Sequence, residues 1–230
     1  MKILAVDTTG QPACCCIIED EKIISEFTIN YNMTHSQTIM PMIKYMVDMV
    51  SFDLKSLDYI ACSSGPGSFT GLRIGAATAK GLAHGLEIPI ISVPTLDSLA
   101  YNIFETDKII CPIMDARRHQ VYTAFYKWED KKFLRVSDYM AEDIDYIIEE
   151  VKKFEKDVIF LGDGVPIYKE KLLQEKFLLA PLNCNMQSSA SVGALALLYA
   201  KDNKFVKCNE FIPTYLRKSQ AERELDEKKA

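Results

Sequence analysis

The sequence predicts an α/β chain of two lobes, each built on a mixed β-sheet flanked by helices. Three observations lead there. Three strand-like segments come before any helical one, strands and helices then alternate, and near Ile109 the same order begins again. Strands joined by tight turns pair antiparallel, whereas strands separated by a helix pair parallel, so each half implies one sheet of both kinds.

Ile3 to Val6 is a short apolar run that meets Asp7-Thr8-Thr9-Gly10, a buried strand running into a turn. Residues 13–19, with Cys14, Cys15 and Cys16, form a second strand. Asp20-Glu21 makes the tight connection to a third over 22–29. Residues 36–50 carry Ile39, Met40, Met42, Ile43, Met46, Val47, Met49 and Val50 and read as a helix. Pro41 fits a helix only in its first turn, which makes Thr38 the expected N-cap. Tyr59 to Cys62 is a buried strand; a glycine-rich loop, a small-residue helix over 71–85 capped by Thr70, a strand over 88–93 and a helix opening at Thr95 follow. In the second half, strands are expected at 109–114, 120–127 and 132–139. A helix over 142–154 places Ile144, Ile147, Ile148 and Val151 on one face. A strand at 158–161 and helices at 166–176 and 189–202 complete it. The expected division is a first lobe over 1–104, a smaller second lobe over 105–216, and a charged tail over 217–230 whose one large apolar residue is Leu225.

Composition narrows the function. Apolar residues make up 48% and charged residues 26%, ordinary for a globular chain. No apolar run is long enough to span a bilayer, and an acid at Asp7 interrupts the N-terminal run before it could serve as a signal peptide. The net charge of -5 and the lack of any long Lys/Arg block disfavour nucleic-acid binding by the chain alone. The seven cysteines show no Cys-x-x-Cys spacing, and His35, His84 and His119 are scattered, so no metal site is expected. Unpaired thiols in apolar stretches point to a reducing cytoplasm.

Four segments have the makings of a site. Gly65-Pro66-Gly67 is a sharp turn before a helix carrying Gly71, Gly75 and Ala79. Its backbone N–H groups suit an anion, and its small residues equally suit close packing; both readings stand. It lacks the Gly-Lys-Ser/Thr of a Walker loop. Asp7-Thr8-Thr9 ends the first strand, where a turn-forming Asp is the commoner explanation. Asp115-Ala116-Arg117-Arg118-His119 ends the first strand of the second half; solvated charge competes with anion binding there. Gly162-Asp163-Gly164 reads as a strand-to-helix turn. Asp7, Thr8, Thr9, Gly65, Gly67 and Arg117 are the candidate nucleotide or anion contacts. The apolar surface of the 36–50 helix is wider than one sheet can cover, so His35, Ser36, Ile39, Met42, Ile43, Met46, Leu72, Gly75 and Ala79 are the candidate partner surface.

With these segments in place, the chain resembles the TsaB (YeaZ) family over nearly its whole length. The matching pieces are Lys2 to Thr8, His35-Ser36, Gly65 to Gly75, Ala79 to Ala83, Ile88-Pro89, Asp115-Ala116-Arg117 and Pro213 to Arg217. The resemblance implies an actin-like fold, that of Hsp70 and the sugar kinases (ASKHA). It implies a cytoplasmic, non-catalytic dimerisation subunit that activates the catalytic paralogue TsaD, with the ATPase TsaE, to place threonylcarbamoyl on the adenosine beside the tRNA anticodon. It further implies a homodimer when alone, tRNA reached only through the complex, no intrinsic cofactor, and ATP or ADP at most at the complex interface. In TsaD-like proteins a His-x-x-x-His metal motif follows the equivalent helix and strand; here Thr95 and Leu99 take those positions. The rival readings are a small actin-like ATPase or kinase, which needs a glycine-rich phosphate hairpin in each lobe, and a metalloprotease, which needs a ligand cluster.

Overall fold

Strand β1 (Lys2–Asp7) lies at the centre of the first sheet and is buried on both faces. Its alternation explains its composition. Leu4 and Val6 point into a core shared with helices α1 (His35–Val50) and α2 (Phe69–Leu86), while Ile3 and Ala5 point into a second core against α6 (Ser189–Lys201). The neighbouring β2 (Ala13–Glu19) does the same, with Cys15 and Ile17 on one face and Cys16 and Ile18 on the other. The three consecutive cysteines are therefore small core residues of a strand covered by helices on both sides. A computed structural model describes residues 1–31 and 34–217.

The order of the first sheet is β3-β2-β1-β4-β5, with β3 (Lys22–Ile29), β4 (Tyr59–Ser63) and β5 (Ile90–Val93). β1, β2 and β3 form the antiparallel meander, and β1, β4 and β5 run parallel. The second sheet repeats this plan as β10-β7-β6-β11-β12, built from β6 (Ile109–Asp115), β7 (Gln120–Thr123), β10 (Met140–Asp143), β11 (Val158–Leu161) and β12 (Leu178–Leu179). Its first three strands are antiparallel and its last two parallel to β6. Helices α4 (Ile144–Val151) and α5 (Val165–Gln174) cover one face through Ile144, Ile147, Val151, Val165 and Leu172. Helix α3 (Thr95–Ala100) leaves the first sheet but buries Leu96 and Leu99 against Ile110, Met114 and Tyr126 of the second.

Several expectations need correction. The second lobe does not run to residue 216. Helix α6 returns to pack on β1, β2 and β5, Val206 bridges to Ile90, and Phe211 enters the core beneath α1 and α2. The first lobe is closed by the C-terminal segment because its sheet would otherwise expose the apolar face of Ile3, Ala5 and Ile91. The strand expected at 120–127 breaks in two, and the one expected at 132–139 stops at Arg135, followed by a separate strand over Met140–Asp143 that the sequence reading did not place. β7 and β8 (Tyr126–Glu129) both pair with β6, interrupted at Ala124-Phe125, where the Phe125 N–H turns to Ser137 Oγ at 2.8 Å. Their partners become β9 (Lys132–Arg135) and β10. Thr38 is not the cap of α1. The helix begins a turn earlier, with Thr34 as the N-cap, and the Thr38 hydroxyl bonds back to the carbonyls of Thr34 and His35, each at 3.3 Å. Pro41 sits inside the helix on its exposed side. Ser68, not Thr70, caps α2, its Oγ accepting the Gly71 N–H at 3.3 Å. Of the expected tail, all but Arg217 lies outside the described residues.

Candidate functional site

A cleft of about 830 Å³ opens between the lobes. One wall is the β1–β2 turn at Thr9, Gly10 and Gln11 with the start of α2. The other is the end of β6 with Asp163, and the segment from Thr214 to Arg217 crosses one side. Of the six candidate anion contacts, Thr9, Gly67 and Arg117 line this cleft; Asp7, Thr8 and Gly65 do not.

The reason lies in how the first hairpin is held. Asp7 is fully buried: its Oδ1 accepts the Thr9 N–H at 2.7 Å and the Thr9 hydroxyl at 2.6 Å, and its Oδ2 accepts the Ser63 hydroxyl at 2.6 Å. Burial pushes its carboxyl up, against the pull of those hydrogen bonds. The Thr8 hydroxyl donates to the Gly71 carbonyl at 2.7 Å, and the Ser68 N–H donates to the Thr9 carbonyl at 2.8 Å. A Cβ on Gly67 would stand 2.6 Å from the Thr9 carbonyl oxygen, and one on Gly75 2.7 Å from the Thr8 hydroxyl. Thus the glycines of the 65–75 block let α2 lie directly on the hairpin. The hydroxyls and carboxylate are spent inside the lobe.

Position 95 is spent in the same way. The Thr95 hydroxyl accepts the Gly65 N–H at 3.1 Å, and the Thr95 N–H donates to the Gly65 carbonyl at 2.9 Å. Thr95 and Leu99 are fully buried. Gly65 has a φ of +110°, which a side chain rarely adopts, and the Thr214 carbonyl fills the space where one would go. Among the described residues no group of three His, Cys, Asp or Glu is placed to hold a metal ion.

The lobes are tied on both sides of the cleft. Asp163 on the floor accepts the backbone N–H of Asp115 at 3.1 Å, and the Gln11 backbone of the first lobe lies near enough to favour its charged form. Burial pushes its carboxyl to about 6, and the nearby Asp115 charge acts in the same sense. On the hinge side, Asp97 of α3 accepts the phenols of Tyr126 and Tyr139, both at 2.7 Å, on Oδ1, and that of Tyr199 at 3.3 Å on Oδ2. Burial, with the carboxylate beside them, raises the pKa of all three tyrosines. Asn102 donates to the carbonyls of Cys184 and Met186 at 3.0 and 2.8 Å. Sequence reading missed Asp97 because its partners lie 29, 42 and 102 residues away.

The candidate partner surface needs a second correction. Ile39, Met42, Ile43 and Met46 are buried against their own sheet, and Leu72, Gly75 and Ala79 are buried under α2. They cannot meet another chain. His35 is half-buried, with its Nε2 3.0 Å from the Gly10 carbonyl oxygen, and only Ser36 of that set is exposed. Helix α1 fills its wide apolar arc by packing on both the sheet and α2, which a one-sided count overlooks. What remains outside is Met40, Tyr45, Met49 and Val50 on α1, with Tyr45 edge-on to Phe27 of β3, and, on α2, the exposed Ala77, Gly81 and Gly85. A Cβ at Gly81 or Gly85 would meet nothing within 4 Å.

Comparison with known proteins fits this architecture. A family model described as TsaD, tRNA N6-adenosine threonylcarbamoyltransferase, matches residues 22–225. The tRNA threonylcarbamoyladenosine biosynthesis protein TsaB of Bacillus subtilis is 31% identical over 222 residues, covering 96% of each chain. This chain belongs to the TsaB family. The TsaB protein of Escherichia coli K12 is 26% identical over 98% of each chain. The crystal structure of YeaZ from Pseudomonas aeruginosa superposes with a TM-score of 0.79 at 23% identity, covering 94% of this chain and 99% of that one. The fold of this TsaB-family chain is actin-like: two lobes, each with a mixed sheet flanked by helices. Among the described residues no helix is long and apolar enough to cross a membrane.

Proposed function

We propose that this chain acts in tRNA threonylcarbamoyladenosine biosynthesis as a non-catalytic subunit that dimerises with and activates the catalytic paralogue TsaD, working with TsaE. One observation carries the reading: the groups an actin-like enzyme would use are consumed by internal packing. Asp7, Thr8 and Thr9 hold α2, and Thr95, at the first metal position of the paralogue, holds the Gly65 loop. Leu99, at the second, has no lone pair to offer a metal. The chain keeps the fold and puts its chemistry elsewhere.

The outer face of α1 and α2 supports the partner half of the proposal. Exposed Met40 on α1 and the open Gly81 and Gly85 on α2 would let a helix from another chain approach closely, and paired helices from two chains would form a four-helix bundle. The same face serves a homodimer and a heterodimer in turn. Any ATP or ADP belongs to the assembled complex and not to this chain alone.

Reconstitution tests this. With TsaD, TsaE, tRNA and threonylcarbamoyl-AMP, omitting the chain is expected to abolish modification, and the chain alone is expected to transfer nothing. Met40→Asp combined with Gly81→Leu changes two positions open to solvent, so the variant is expected to keep its circular dichroism while losing both self-association and activation. Transfer by the isolated chain would overturn the non-catalytic role. A folded double variant that still dimerises and activates would remove this face from consideration.

A further inference from the structure

Only six arginines stand among the 27 basic residues of the chain. Three of them, Arg73, Arg117 and Arg217, line the interlobe cleft, where no lysine is found among the described lining residues. They arrive from three separate elements: α2, the β6–β7 turn and the segment after α6. Arg118 and His119 continue the same exposed turn, in which residues 117–119 all have left-handed backbone, with φ of 61, 55 and 62°. In a chain of net charge -5 this is a local excess of positive charge. The acids in the lining are Asp115 and Asp163, and Asp163 lies buried on the floor, away from the mouth.

The choice of arginine over lysine carries chemical information. A guanidinium presents a planar fork that matches phosphate or carboxylate oxygens in pairs, whereas an ammonium acts as a point charge. Beside the arginines, the rings of Phe69 and Tyr215 lie 4.8 Å apart, and the Arg73 guanidinium sits 4.1 Å from the Phe69 centroid. Tyr215 is 40% exposed. Arginines next to an exposed aromatic ring suit single-stranded nucleic acid, whose phosphates and bases use both parts. An acidic peptide would leave the aromatic pair idle. A mononucleotide held as in actin-like enzymes would need the hairpin hydroxyls, which are already spent on Asp7 and Gly71.

We propose that, against the expectation from net charge and family resemblance that this chain alone does not hold RNA, the mouth of this cleft binds a segment of single-stranded RNA, with phosphates on Arg73 and Arg117 and a base against Tyr215. Arg217 fixes the crossing segment through its Nη1, which donates to the Ala116 carbonyl at 2.7 Å. The choice of RNA rests on the proposed role in tRNA modification; the phosphate and stacking chemistry does not.

Fluorescence anisotropy of a short labelled single-stranded RNA, titrated with the full chain at several salt concentrations, tests the proposal without the paralogue. Arg73→Gln with Arg117→Gln is expected to weaken binding at least tenfold and to flatten the dependence of log K on log salt by about 1.4, the value for two phosphate contacts on a single strand. Tyr215→Ala is expected to weaken binding with an unchanged salt slope. AMP and inorganic phosphate, as competitors, are expected to leave the RNA bound. Absence of RNA binding, or binding indifferent to both variants, overturns the proposal. Full displacement by AMP at matching concentration would make this a mononucleotide pocket, and capture of oligoglutamate without RNA would make it a peptide site; either also overturns it. None of these readings depends on dimerisation, so the proposal fails or stands separately from the partner face.

Discussion

Two glycines on one helix should respond oppositely to the same change. Gly71→Ala and Gly81→Ala each add one methyl to α2, and each gains about 1 kcal/mol of helix propensity. At Gly81 the methyl meets nothing within 4 Å, so that gain is the whole effect. The variant should be more stable by about 0.5–1 kcal/mol, or about 1–4 °C in Tm for a chain of this size. At Gly71 the methyl would be driven into the Thr8 carbonyl oxygen, inside the ~3.3 Å at which carbon and oxygen settle. Backbone cannot give way as a flexible side chain can. Helix and hairpin must part, straining the Thr8 hydroxyl bond to Gly71 at 2.7 Å and the Ser68 bond to Thr9 at 2.8 Å. Overpacking costs about 1–3 kcal/mol and each disrupted buried hydrogen bond about 1–3 more, so after the helix gain a net loss of at least about 2 kcal/mol is expected. Urea unfolding followed by circular dichroism reads both values. A Gly71→Ala protein as stable as the parent, or a Gly81→Ala protein less stable, would refute the view that the 65–75 block exists to seat α2 on the hairpin.

Asp163 gives a pH signature. Its folded value of about 6 stands above the ordinary 3.8, so the native state holds the extra proton and stability falls as pH rises from about 4 through 6. Asp163→Asn keeps an acceptor for the Asp115 N–H. It should stabilise the protein by up to about 3 kcal/mol above pH 7 and by nearly nothing at pH 4; a stability gain that does not change between those two conditions would contradict this. Asp97→Asn leaves one acceptor oxygen where two now receive three phenols. A loss of about 1–3 kcal/mol is expected in urea melts, and an unchanged midpoint would show that the hinge cluster bears no strain.

The sequence by itself determined the elements and their order. The short continuous apolar runs at residues 3–6 and 13–18, and the helical spacing of Ile144, Ile147, Ile148 and Val151, are local patterns, and they mark strand or helix without reference to the rest of the chain. The repeat of a meander followed by parallel strands was equally legible, because short and long connections dictate the two kinds of pairing. What lay beyond it were choices made between distant segments. Met42 and Met46 differ from Met40 and Met49 only in which side of α1 meets the sheet and α2. Residues 189–217 belong to the first lobe because that sheet has an uncovered apolar face, a fact invisible at residue 189. Asp7 at a strand end read first as a turn former and second as an anion contact, and its partners Ser63 and Thr9, one of them 56 residues away, hold its carboxylate inside the lobe. Arg73, Arg117 and Arg217 share a cleft only after two lobes and a crossing segment have been brought together. A periodic pattern is set by bonds to near neighbours, but burial and charge at a point depend on everything within a few ångströms of it, and most of that comes from elsewhere in the chain.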